Sequence, residues 1–375
     1  MAEPAEVGVA RPTVGKALLA AVGLVAGAFV VRGAIQRAGR AKAYLAEGID
    51  EKTWIRLGGV DQWVTIRGRD EANPLILVLH GGPGSALSLL AHKVSPHWDE
   101  YFTIVHWDQR GAGRTFARNG KAGCGELTIG RLVVDGIELS EELQRRFPGR
   151  PLVLLGWSWG SLLGLEMIRA RPDLFAAFVG TGQVVDMVRG EQMSYFGAVD
   201  RLRAKGDERA AQTLEAIGPP PYPSIKALGK QRKLLVSTMP KAERQAVGGM
   251  TLRLLLAPDS KLKDMATYLA AVLFSVGRLW GQITEWRLAD GGLAFDVPLV
   301  FLQGELDLIT PTPLLTEMAA KLKAPSVTLE IFEGAGHEAP MTHPDAFRRQ
   351  LVEKVLPLVS PKPKPKRKPR ARKTT

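Results

Sequence analysis

Six short, almost uninterrupted apolar runs most constrain how this chain of 375 residues can fold. Residues 75–80 (LILVLH), 103–108 (TIVHWD), 151–156 (PLVLLG) and 175–179 (FAAFV) form a first set, and residues 299–303 (LVFLQ) and 327–332 (VTLEIF) a second. Val/Ile/Leu runs of this length indicate strands covered on both faces, hence a mainly parallel sheet with helices on either side. Between residues 131 and 147 apolar positions recur at helical spacing (Leu132, Val133, Ile137, Leu139, Leu143, Phe147), as a crossover helix requires. Ahead of the first run, residues 53–57 and 60–67 read as a hairpin turning at Gly58-Gly59. With 45% hydrophobic residues the chain can build a sizeable core. The fold class is therefore α/β, with a doubly wound sheet.

The strand rhythm stops over residues 186–295. That stretch is helical and turn-rich, interrupted by Gly218-Pro219-Pro220-Pro221-Tyr222-Pro223. A helical insertion between two strands of such a sheet is placed as a cap over the strands' carboxyl ends, where ligands bind. Tyr195, Phe196, Tyr268, Phe274, Trp280 and Trp286 give it aromatic surface, most of it cap core. The expected organisation is a leader at 1–16, an anchor at 17–35, core at 50–185, cap at 186–295, core again at 296–358, and a basic tail at 359–375.

Residues 17–31 (ALLAAVGLVAGAFVV) contain no polar side chain. As a helix they span ~22 Å, short of a ~30 Å hydrocarbon core; with Arg32 snorkelling and Ile35 as the end, the segment is long enough to cross. A membrane anchor is the leading reading. A signal peptide cleaved near Ala26-Gly27-Ala28, leaving a secreted protein, and an ordinary helix are its rivals. Arg11 and Lys16 precede the segment while Arg32, Arg37, Arg40 and Lys42 follow it, which leans the main domain toward the cytoplasm.

The net charge of +12 belongs mostly to the C-terminal run PKPKPKRKPRARK, without which residues 1–360 carry +4. Its prolines and cations make it extended and solvated. It suits anionic lipid headgroups beside an anchor, with a plain solubilising tail as the bland alternative. Without aromatics for base stacking, no specific nucleic-acid partner is expected. The single cysteine, Cys124, excludes an intrachain disulfide framework and multi-cysteine metal sites. No cofactor and no metal is expected.

The chemistry centres on Gly156-Trp157-Ser158-Trp159-Gly160, which follows one strand run and opens a helical stretch at 161–171. Glycines at both ends let a sharp strand-to-helix turn expose the Ser158 hydroxyl beside the positive end of a helix. A serine needs a base, and His337, in the loop Glu333-Gly334-Ala335-Gly336-His337 after the last strand, fits best. His106 reads as a core residue and His343 as a cap or turn residue. Asp307, past the strand that follows the cap, is placed to orient His337, with Glu305 as its rival. His80-Gly81-Gly82-Pro83-Gly84 bares backbone for close approach, so Gly82 and Trp159 are assigned as oxyanion N–H donors, Gly81 being a substitute for Gly82. A purely structural serine turn would leave these segments without a common purpose.

Together HGGPG at 80–84, DQRGAGR at 108–114, GWSWGS at 156–161, GELD ending at Asp307 and GAGH ending at His337 resemble the proline iminopeptidase family of α/β-hydrolases. The resemblance covers most of residues 50–358. It implies an α/β-hydrolase fold with a helical cap, Ser158 as nucleophile, Asp307 and His337 as partners, and no cofactor. In that family cap carboxylates hold the free α-amine of an N-terminal proline. Glu191, Asp200 and Glu285 are available here, but none sits in the family's pattern, so the fold and triad carry over and the peptidase specificity does not. The expected activity is hydrolysis of a small ester or amide, with an N-terminal (proline) aminopeptidase leading, a carboxylesterase or lipase-like enzyme second, and a non-catalytic binder on the same shell last. Asp108 and Arg110 are read as braces rather than catalysts.

Overall fold

The computed structural model describes residues 27–40 and 47–360. The expected leader, residues 17–26 of the expected anchor and the basic run from 361 lie outside them. Eight strands form one sheet: β1 (Ile49–Leu57), β2 (Val60–Gly68), β3 (Leu75–Leu79), β4 (Thr103–Asp108), β5 (Leu152–Trp157), β6 (Ala177–Thr181), β7 (Leu299–Gly304) and β8 (Val327–Phe332). Their spatial order is β1-β2-β4-β3-β5-β6-β7-β8. β1 and β2 pair antiparallel, as do β2 and β4, and the remaining pairs are parallel.

The hairpin turns on Gly58 and Gly59 at φ 52° and 76°. A two-residue turn needs this left-handed pair to match the strand twist, and only glycine takes it without strain. Register sets Trp54 opposite Trp63, their rings 4.9 Å apart edge to face.

The apolar runs alternate faces with the two-residue period of a strand. Leu75, Leu77 and Leu79 of β3 pack with Trp107, Leu154 and Phe301 on one face, whereas Ile76 and Val78 pack with Val153, Val300 and Leu302 on the other. Helices at residues 27–40 (α1), Gly113–Gly123 (α2), Ile129–Arg146 (α3) and Trp159–Ala170 (α4) precede the cap helices. α3 is the expected crossover, begun by Thr128, whose hydroxyl accepts the Arg131 N–H.

Between β6 and β7 come α5 (Met187–Ala204), α6 (Glu208–Ile217), α7 (Ile225–Thr238), α8 (Lys241–Gly248), α9 (Met250–Leu256) and α10 (Leu262–Thr284). Asp186, Asp207 and Ser224 cap α5, α6 and α7 by accepting backbone N–H groups. Tyr195, Leu202, Leu214 and Leu235 form a local core. Phe274 and Trp286 pack against the main core, while Phe196 is exposed.

α1 differs from the sequence expectation. The Arg32 guanidinium does not snorkel: it donates to the carbonyls of Leu255, at 3.0 Å, and Ser260, at 2.6 Å. Gln36 is buried and donates to the Ala257 carbonyl at 2.9 Å. Side chains with unsatisfied carbonyls in reach stay with them rather than with water or headgroups. Among the described residues no helix is long and apolar enough to cross a membrane.

Candidate active site

Ser158 sits between β5 and α4 with φ 56° and ψ −121°, a left-handed conformation that costs a residue with a Cβ about 1–3 kcal/mol and turns the side chain out of the sheet. The flanking glycines make that turn possible. A Cβ at Gly156 would lie 2.4 Å from the Gly160 carbonyl oxygen, and one at Gly160 would lie 2.1 Å from that of Leu79. The chain therefore crosses β3 at backbone contact. Ser158 N–H donates to the Thr181 carbonyl at 2.9 Å, which ties the turn to β6.

Asp307 lies just beyond β7 and is almost wholly buried. Its Oδ1 accepts the N–H groups of Ile309 and Thr310 at 2.8 and 3.0 Å. Its Oδ2 accepts from Gln303 Nε2 at 3.0 Å, Thr310 Oγ1 at 2.8 Å and His337 Nδ1 at 2.8 Å. Five donors hold the carboxylate in one orientation, so the imidazole it meets is held as well. Glu305 is exposed and accepts the Gly334 N–H at 2.9 Å, away from the imidazole. Trp157 Nε1 donates to the His337 carbonyl at 3.2 Å, which binds the histidine loop to the residue before Ser158. Among the described residues Ser158 Oγ makes no hydrogen bond, His337 included, a looseness common before substrate arrives.

The HGGPG loop reaches the serine from β3: a Cβ at Gly81 would lie 3.3 Å from Ser158 Cβ and 3.9 Å from its Oγ. His80 governs how this loop faces. Its Nε2 accepts the Gln109 N–H at 3.3 Å, so Nδ1 carries the proton and donates to the Gly81 carbonyl at 2.8 Å. Burial holds the His80 imidazole neutral, down to about 4. Ser85 N–H donates to the same carbonyl at 3.2 Å. The N–H of Gly82 shares that peptide plane and points the opposite way, so fixing the Gly81 carbonyl also fixes the Gly82 donor. Trp159 begins α4, where an N–H has no intrahelical partner.

Comparison with known proteins gives the family of the chain. Residues 76–350 match the family described as the alpha/beta hydrolase family. This chain belongs to the α/β-hydrolase family. The hydrolase is 29% identical over 304 residues to a probable aminopeptidase, YbaC, of Bacillus subtilis (strain 168), which covers 79% of this chain and 93% of the relative. It is 34% identical over 127 residues to a probable proline iminopeptidase of Streptomyces coelicolor, covering 32% of this chain and 35% of the other. A solved structure of a proline iminopeptidase-related protein from Thermus thermophilus superposes with a TM-score of 0.54 at 22% identity, over 83% of this chain and 99% of that one.

The hydrolase contains several site residues that sequence reasoning passed over. Gln109 joins the HGGPG loop to the start of α4, because Trp159 Nε1 donates to its Oε1 at 3.0 Å while its own N–H meets His80. Its neighbours in the DQRG segment are braces. Arg110 bonds buried Asp135 at 2.7 Å and the Cys124 carbonyl at 2.6 Å, and Asp108 accepts the Arg114 N–H at 2.9 Å. Burial pushes the Asp108 carboxyl up to about 6. His106 bonds Ser95 inside the core, and burial lowers it to about 4.

Glu243, on α8, was also missed. Its carboxylate is buried and accepts the Gly336 N–H at 3.0 Å, the Glu338 N–H at 2.9 Å and the Thr342 hydroxyl at 3.1 Å. It thus takes the backbone donors on both sides of His337. Burial by itself would lower the His337 imidazole. The charge and hydrogen bond of Asp307, with Glu338 and Glu243 adding, more than reverse this and push it up to about 9. Glu338 is half-buried beside it, and burial pushes its carboxyl up to about 7. Of the cap carboxylates noted from sequence, Asp200 and Glu285 are exposed, whereas Glu191 is buried and paired with Arg232. Among the described residues no group of three or more His, Cys, Asp or Glu side chains is placed to hold a metal ion.

Proposed function

We propose that this hydrolase cleaves a small ester or amide through an acyl-enzyme on Ser158. The observation that carries the reading is the 2.8 Å bond from His337 Nδ1 to Asp307, which leaves Nε2 as the free basic nitrogen. His337 Nε2 takes the Ser158 proton as Oγ attacks the carbonyl carbon. The Gly82 and Trp159 N–H groups stabilise the tetrahedral oxyanion. His337 then gives the proton to the leaving amine or alcohol as the C–N or C–O bond breaks. Water repeats the sequence and releases the acid, returning the proton to Ser158.

The leading substrate class is an N-terminal peptide bond, supported by the relatives named as aminopeptidase and proline iminopeptidase. Glu338, adjacent in sequence to His337, half-buried and making no side-chain hydrogen bond among the described residues, is the acid this reading assigns to a substrate α-amine. One observation favours a carboxylesterase instead. Asp200 and Glu285 face solvent and Glu191 is occupied by Arg232, so the cap itself offers no free buried acid among these three. Hydrolysis of proline p-nitroanilide and of p-nitrophenyl butyrate by wild type and Ser158→Ala separates the two. Ser158-dependent anilide cleavage with little ester turnover supports the peptidase; ester cleavage alone assigns the enzyme to acyl esters.

Residues 17–35 are proposed to hold the chain at a membrane with the catalytic domain on the cytoplasmic side, helped by the basic tail. The apolar run at 17–31, whose last five residues open the docked helix α1, supports this. Replacing Leu18, Leu19 and Leu24 by Gln should release the chain from the membrane fraction, and retention there would reject the anchor.

A further inference from the structure

α10 carries apolar side chains on the face it packs against the protein and also along much of the opposite face, a pattern that in a folded protein normally calls for a partner on both sides. Among the described residues only one side is covered. Ala271 and Ser275 are buried, Ser275 Oγ donates to the Gly111 carbonyl at 2.9 Å, and a Cβ on Gly84 would lie 2.9 Å from the Val272 Cα. The opposite face presents Leu262, Ala266, Leu269, Ala270, Leu273 and Gly277 to the outside, and the three leucines are 49%, 62% and 56% exposed. Lys263 and Arg278 stand near its two ends; the carboxylate of Asp264, beside Lys263, is turned back to the Lys261 N–H at 2.8 Å, and exposed Glu285 follows the last turn.

α1 docks on the segment that leads into α10. Arg32, Gln36 and Arg40 bond the carbonyls of residues 255–260, immediately before α10 begins. Phe29, Val30 and Val31 of α1 are 51%, 71% and 59% exposed, and the apolar residues 17–26 run directly into them. Isolated exposed leucines need no explanation, but a continuous apolar face does.

We propose that the outer face of α10 rests on an anionic lipid leaflet, its leucines at the acyl-chain boundary and Lys263 and Arg278 reaching the phosphates. This deepens the membrane attachment proposed for residues 17–35 and rests on it. A helix packed on protein through one face and carrying an apolar face flanked by cations fits a headgroup boundary. The strip suits a second copy of the chain poorly. From Leu262 to Gly277 it runs ~22 Å and, at ~10 Å width, covers ~220 Å², against the ~800 Å² per partner typical of a stable dimer. Because α10 covers the loop carrying Gly84, the leaflet would lie one helix diameter, ~10–12 Å, from the oxyanion loop.

The test uses the full chain reconstituted in phosphatidylcholine/phosphatidylglycerol vesicles, with an environment-sensitive fluorophore on Leu273→Cys or, as reference, on exposed Gln212→Cys of α6. Cys124 is buried, so wild type serves as the labelling blank. Both variants should hydrolyse a water-soluble ester at the wild-type rate. The label at 273 should be at least about threefold better shielded from an aqueous quencher than the label at 212, and at least about threefold more quenched by nitroxide-bearing acyl chains. Incorporated chain whose 273 label stays open to water overturns this proposal and leaves the anchor standing. Shielding without lipid quenching also overturns it: dependence on protein density then assigns the face to a second copy, and independence assigns it to residues 17–26 of the same chain. Failure of the chain to associate with vesicles at all overturns the anchor as well.

Discussion

Glu243 and Gly336 lie 93 residues apart in sequence, and the buried carboxylate of the first accepts the backbone N–H of the second at 3.0 Å. The other carboxylate oxygen accepts the Glu338 N–H, so a cap helix grips the chain on both sides of His337. A Cβ on Gly336 would come within 2.9 Å of the Glu243 carboxyl carbon, which explains glycine at that position. The helical insertion between β6 and β7 therefore fixes the position of His337.

Glu243→Gln puts an amide NH₂ against one of two N–H groups, leaving a buried donor unpaired at a cost of about 1–3 kcal/mol. Turnover should fall roughly tenfold or more with KM changed by less than about threefold. Removing the negative charge also moves the acid limb of the pH–rate profile to lower pH. Lost stability with an unchanged profile would make Glu243 a packing residue only.

Asp307→Asn keeps the shape of the acid and reverses its hydrogen bonding toward His337 Nδ1. The histidine then holds its proton on the wrong nitrogen, and kcat should fall by roughly 10⁴. Steady-state rates at several pH values check this, and a loss under about tenfold would remove Asp307 from the mechanism.

His337 gives activity and stability opposite dependences on pH. Its folded-state value is raised from 6.5 to about 9, so the imidazolium stabilises the fold fully below about pH 6.5. That contribution is lost as pH rises through about 9. Catalysis requires the neutral base, so turnover should climb over the same interval while the melting temperature falls. A pH–rate profile already flat at pH 7 would contradict the raised value.

Arg110→Met leaves Asp135, which is fully buried, without its shortest ion pair, although Gln62 and Arg131 still reach it. The expected cost is about 3 kcal/mol, read as a lower urea midpoint. A change under about 0.5 kcal/mol would deny Arg110 its bracing role.

The parts of this molecule that are local in sequence were legible there. Leu75, Leu77 and Leu79 announce a strand through composition, and Gly156 and Gly160 announce the elbow because no other residue permits that backbone approach. Strand ends were less legible: β5 starts at Leu152 rather than at Pro151, which has no N–H for the ladder, and β6 starts at Ala177 rather than Phe175. Gln109 and Glu243 could not be found, because each acts through partners brought close only by the tertiary fold. The docking of Arg32 onto residues 255–260 was hidden for the same reason, since an arginine after an apolar run reads identically whether it meets headgroups or carbonyls.

The central claim is that Ser158 is the nucleophile, and the most direct measurement is the intact mass of the protein after brief exposure to a fluorophosphonate. One adduct per chain, mapped to Ser158, absent in Ser158→Ala and slowed by roughly 10³ or more in His337→Ala, is the predicted result. An adduct that persists in Ser158→Ala, or none on the wild-type chain, would contradict it.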